Sequence, residues 1–261
     1  MNDTGQKNKA RNTAVGDLQQ QLVKQITDDR MEEFFSTLSR ALKSRSVKVR
    51  DAAILLVTEQ KITEAGALIE PLLGDKSKRI RYNAAECLGI LYEDSGRQLT
   101  GLRNLLQDPS DIVRAQALES LALLKDRRAL PEIVPLLSDD DPVVRSYAAA
   151  SVGVLGGVSY KKALRRNLKT DKEELARVGF YEGLFLLGER EALKEMLMLL
   201  QSQNYRVRCA VANTVESMPL SQGEVREAIT YLASAGRKPL TVADKTTITR
   251  VLTELELKEK Q

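Results

Sequence analysis

Arginine recurs at positions 50, 81, 114, 145, 177 and 208, so the steps between copies are 31, 33, 31, 32 and 31 residues. Each copy sits in the same short pattern, as in Val49-Arg-Asp-Ala-Ala, Ile80-Arg-Tyr-Asn-Ala-Ala, Val113-Arg-Ala-Gln-Ala and Val207-Arg-Cys-Ala. A unit this short cannot bury a core alone, and six copies held in register specify a stacked array whose neighbours cover one another. This period constrains the chain more than any other feature it has.

Every unit reads as two helices. The leading helices carry one apolar stripe each, at residues 68–73, 99–106, 130–137, 163–168 and 193–200. Pro71 and Pro135 fall at the same place in their units, where an interior proline removes a backbone bond, so these helices are expected to kink. Four residues before the repeated arginine stand Ser46, Ser77, Ser110, Asp141, Glu173 and Asn204, read as N-caps of the second helix. Six residues before it stand Ser44, Asp75, Asp108, Asp139, Asp171 and Ser202. An acid in the turn and an arginine one turn into the helix would align on stacking as a ladder of ion pairs. Its expected members are Asp75, Arg81, Asp108, Arg114, Asp139 and Arg145, in a structural role.

Residues 1–13 offer no periodic apolar face and are expected to be a flexible polar tail. Residues 14–261 are expected to form a single array: a cap helix at 14–28 closed by Asp28 and Asp29, repeats at 30–218, and a degenerate last unit at 221–257. Ser221 with Glu224 reads as a capping box, Gly236 as a stop, and Thr241 as the opening of the last helix.

The recurring pattern, D-x-x-x-x-V-R-x-x-A-x-x-x-L-G after a leading helix ending in P-L-L, resembles the HEAT repeat family over residues ~30–218, in the bacterial variety related to phycobilisome lyases. The resemblance implies an all-α fold: a right-handed solenoid of about six to seven two-helix repeats with terminal capping helices. It further implies that second helices line a concave wall and that the repeated Asp and Arg knit neighbouring units. Ala176, Glu173 and Ser202 depart from the pattern.

Catalysis finds little footing in the sequence. With no histidine in 261 residues, Ser/His and Cys/His nucleophile pairs and histidine metal sites are excluded. No phosphate-binding or dinucleotide fingerprint is present, since Gly153 and Gly156 belong to a repeated helix end. Asp139-Asp-Asp141 reads as a turn and helix cap, not a cation site. We expect a non-enzyme with no cofactor and no metal. Cys87 and Cys209 lie four repeats apart and are expected to be free thiols. The polar N-terminus lacks the apolar run of a signal peptide, and no window approaches a membrane span, so a cytoplasmic location without membrane contact is expected. A net charge of +4, from 40 basic and 36 acidic residues, is too even to demand nucleic acid.

These readings converge on a protein-binding scaffold or adaptor. Counting along the second helices places Tyr82, Glu86, Gln116, Glu119, Tyr147, Glu182 and Asn213 on one wall, acidic and polar with two tyrosines, which suits another protein presenting a basic segment. A second patch is the leading helix with Lys161, Lys162, Arg165, Arg166 and Lys169, where residues 158–172 carry a net +5. It is expected to face outward, as a solvated face or a dock for an acidic protein or a phosphate backbone. Nucleic-acid binding, as in HEAT-like DNA glycosylases with a basic groove, is the alternative; a bilin-lyase-like enzyme rests on the family resemblance alone.

Overall fold

A computed structural model describes residues 3–27, 30–236 and 241–260 of the chain. Among them there are α-helices and short 3-10 turns and no strand. They group into two compact units, Met1–Asp126 and Arg127–Gln261.

The first unit contains α1 (Asp3–Thr27), α2 (Met31–Leu42), α3 (Val47–Glu59), α4 (Gly66–Ile69), α5 (Lys78–Leu91), α6 (Thr100–Asn104) and α7 (Asp111–Leu123). Helix α1 lies over α2 and α3 and buries Leu22 completely. Its Gln25 side chain, also buried, donates to Thr37 Oγ1 at 3.4 Å. The stretch read as a flexible tail is helical from Asp3 onward. Once the stripe around Leu22 anchors the helix, adding residues toward the N-terminus needs no new nucleus, so an apolar face is not required there. Met1 and Asn2, and Asp28 and Asp29 that were expected to end α1, lie outside the described residues.

The second unit contains α8 (Leu130–Ile133), α9 (Pro142–Leu155), α10 (Lys161–Thr170), α11 (Glu174–Leu186), α12 (Ala192–Met198), α13 (Tyr205–Ser217), α14 (Gln222–Ala235) and α15 (Val242–Glu259). Second helices stack on one another in both units: α5 on α3 and α7, and α11 on α9 and α13. Between α9 and α11 the approach is so close that a side chain at Gly179 would strike the Ser146 backbone. Leucine and alanine fill the cores, with Phe34, Phe180 and Phe185 fully enclosed.

The expected kinks take a definite form. Helices α4 and α8 tighten into 3-10 turns, Glu70–Gly74 and Val134–Ser138, with Pro71 and Pro135 near the start of each. Helices α6 and α12 tighten in the same way at Leu105–Gln107 and Leu199–Gln201 without proline. The narrowing therefore does not need proline, and α2 and α10 end without narrowing.

The caps differ from expectation. Asp141 accepts from the backbone N–H groups of Val143 and Val144, and Asn204 from that of Arg206. Ser46, Ser77, Ser110 and Glu173 occupy N-cap positions with extended backbones, yet their side chains do not cap. Throughout the repeats a turn-fixing bond comes from two residues upstream: Asp75, Asp108, Asp139 and Asp171 accept from the backbone N–H of residues 77, 110, 141 and 173 at 2.8–3.0 Å, and the Ser44 and Ser202 hydroxyls accept from those of residues 46 and 204 at 3.2 and 3.0 Å. A carboxylate accepts more strongly than a hydroxyl, so the turns that carry an acid are held more firmly.

Candidate partner-binding surfaces

Charge in this molecule is divided between a network that holds the fold and faces that it leaves open. In the first unit Arg50 of α3 pairs with Asp75 at 2.9 Å, and Arg81 of α5 grips Asp108 through two bonds of 2.6 and 2.8 Å. In the second unit Arg145 of α9 grips Asp171 in the same bidentate way at 2.6 and 3.1 Å. Each arginine also donates to the backbone carbonyl six residues before it: Ser44, Asp75, Asp108 and Asp139 for Arg50, Arg81, Arg114 and Arg145, at 2.7–2.9 Å. One guanidinium thus closes its own turn while reaching the carboxylate of the next. Burial alone would raise the Asp108 pKa, but hydrogen bonds from Arg81 and the Ser110 N–H, with the charges of Arg81 and Arg114, hold it below the usual carboxylate range.

Two members of this network escape a reading by period. Arg208 of α13 pairs with Asp244, 36 residues on and fully buried in the first turn of α15, where Thr241 caps the helix. Arg103 of α6 binds Asp126 at 2.9 and 2.8 Å. Neither acid stands six residues before a repeated arginine; Asp244 was legible only as part of a helix start.

The exposed face of α3, α5 and α7 is of another kind. Leu55 is 48% exposed, Tyr82 and Glu86 are half-buried on α5, and Glu119 is exposed on α7. Gln116, expected on this face, is instead buried at 4% exposure, its amide donating to Ser120 Oγ at 3.3 Å. Its position is one helical step too far round, so it lies beneath the face and not on it. Ser120 in turn donates to the Ala85 carbonyl at 2.8 Å, tying α7 to α5. Crowding by protein pushes the Glu86 carboxyl upward. The same effect, and the Glu86 charge, push Glu119 upward against a hydrogen bond from Gln116. Burial and both carboxylates raise the Tyr82 hydroxyl too, so the three groups share one field. Unlike Asp51, Asp75, Asp108 and Asp126 of the same unit, Glu86 and Glu119 have no ion-pair partner among the described residues.

In the second unit Tyr147 is 37% exposed on α9, Glu182 is half-buried on α11, and Asn213 is exposed on α13. Asn213 is engaged within the fold, accepting from Arg250 of α15 at 2.8 Å. On α10, Leu164 and Leu168 are buried while Lys162, Arg165, Arg166 and Lys169 are exposed, with Lys161 half-buried. Arg165 pairs with Glu189.

Cys87 is buried and Cys209 partly so, and both are free. Burial pushes the Cys87 thiol up to about 11. Among the described residues no group of three or more Cys, Asp or Glu is placed to hold a metal ion, and no helix is long and apolar enough to cross a membrane.

Comparison with known proteins agrees with this architecture. Residues 99–184 and 67–95 match family models described as HEAT repeats. The chain is 36% identical over 76 residues to epoxyqueuosine reductase of Bacillus subtilis, covering 29% of this chain and 20% of that protein. It is 36% identical over 114 residues to junction plakoglobin of Bos taurus, covering 40% of this chain and 15% of that protein. The chain thus spans a fifth or less of these relatives. Among solved structures, the complex of CpcE and CpcF of phycocyanin lyase from Nostoc sp. PCC7120 is similar, with a TM-score of 0.59 at 16% identity, over 85% of this chain and 94% of that one. At that identity the likeness is one of fold.

Proposed function

Because this chain is a HEAT-repeat protein, we propose that it works as a non-catalytic scaffold whose α5–α7 face receives a basic segment of another protein. The observation that carries this reading is the pair Glu86, half-buried, and Glu119, exposed, neighbouring carboxylates with no cation beside them among the described residues. An arginine or lysine from a partner would supply the missing charge. Tyr82 and the exposed Leu55 would supply contact area beside it, and a tyrosine does so at small cost in side-chain freedom. A stacked array suits this task, since it offers a long surface that is already ordered before binding.

The test is a pull-down from the native cell extract with the parent and with Glu86→Lys, Glu119→Lys and Glu182→Lys combined. The triple variant should melt as the parent does and lose the retained partner. Retention of that partner at undiminished affinity would remove this face from consideration.

A further inference from the structure

One repeated arginine has left the ladder. The position that should supply its acid is Ser202, whose hydroxyl donates instead to the Glu174 carboxylate. Arg177 forms no ion pair among the described residues; it donates to the Tyr181 hydroxyl at 2.8 Å, its guanidinium lies 5.7 Å from that ring, and its buried Nε has no partner. It opens onto a groove of about 770 Å³ walled by α10, with Lys162, Arg166 and Lys169 along it and Leu168 and Tyr181 among its lining. Lys162, Arg166 and Lys169 stand at i, i+4 and i+7, a single stripe whose charges are spaced roughly 4.5–6 Å along the helix axis. Two carboxylates also line the groove: Asp171, taken up by Arg145, and the exposed Glu195.

The geometry points to this groove as a docking site for an acidic peptide segment of a partner protein, a surface independent of the α5–α7 face. An extended peptide presents side chains to one side every roughly 6.6 Å, close to the spacing of the α10 stripe. A nucleic acid fits less well on two counts. The Tyr181 ring is only 5% exposed, so no face is offered for a base to stack on. Every nucleotide also brings an anion, whereas a peptide can set a neutral residue opposite Glu195.

The test measures fluorescence anisotropy of a labelled ten-residue peptide of alternating glutamate and alanine, over a range of salt, with the full chain. Combined Lys162→Gln, Arg166→Gln and Lys169→Gln should weaken binding on the order of tenfold, as expected for three exposed charges acting together. Arg177→Gln should weaken it as well. A charge-matched control, Lys43→Gln, Lys76→Gln and Lys78→Gln, removes three exposed cations from the other unit and should leave binding unchanged. The altered α10 side chains are exposed or nearly so, and a thermal melt checks each variant; Arg166→Gln alone serves if the triple variant melts early. No binding by the parent, or equal loss in the control, overturns the proposal. So does tighter binding of a duplex DNA of equal charge at the same salt, which would assign the groove to phosphate.

Discussion

At the scale of single residues, the bond that matters most is the shared guanidinium. Arg81 closes its own turn through the Asp75 carbonyl and binds both oxygens of Asp108, whose carboxylate also fixes the next turn through the Ser110 N–H. Arg81→Ala would take the ion-pair partner from a carboxylate that is only 4% exposed and leave it the Ser110 N–H, which costs on the order of 2–4 kcal/mol and should appear as a lower melting temperature. The same residues set the acid limit. Asp108, Glu224 and Asp244 all hold folded-state pKa values below the ordinary range, because arginine and hydrogen-bond donors outweigh burial. A depressed carboxyl contributes stability that is fully present above its unfolded pKa of about 4 and is lost as pH falls through the folded value. Melting temperature should therefore drop steeply on acidification below about pH 4, and Asp108→Asn should flatten part of that drop.

At the scale of helices, the α5–α7 face shows the opposite sign. Glu86 and Glu119 have raised pKa values, so the folded protein binds their protons more tightly than the unfolded chain does. Their charge costs stability above the folded pKa, and the cost is relieved as pH falls through it. Replacing both by glutamine should raise the melting temperature at neutral pH, and the gain should shrink as the parent is titrated downward. A melt that falls on this substitution would mean that the two carboxylates hold the helices together. Sites that serve a partner are often kept at some expense to the fold, as the proposed role of this pair would require.

At the scale of the molecule, the period of the arginines was enough to read the two-helix units, their order and the acid-to-arginine connection, because each followed from one pattern present in six copies. What lay outside the period was not legible. Asp244 joins the network from a helix in the degenerate last unit, Arg103 with Asp126 and Arg165 with Glu189 use a second geometry that the arginine period does not contain, and α1 takes in residues 3–13 because extending an anchored helix needs no apolar pattern. Gln116 was misplaced for a related reason, since counting residues along a helix gives its face only to within a step, and burial at 4% is decided by the neighbouring helix. The basic stripe of α10 was visible in the sequence, but its groove was not. There Arg177 meets Tyr181, and Ser202 stands where an acid would have held it.

Arginine ladders hold the fold, and in the function proposed above the unpaired carboxylates of α5 and α7 hold the partner. Partner retained per folded molecule, measured side by side for Arg81→Ala and for Glu86→Lys with Glu119→Lys, tests this division most directly. The first variant should melt earlier yet retain the partner in proportion to its folded fraction; the second should melt like the parent and retain none. An Arg81 variant that keeps its melting temperature but loses the partner, or a charge-reversed face that still holds it, would contradict the account.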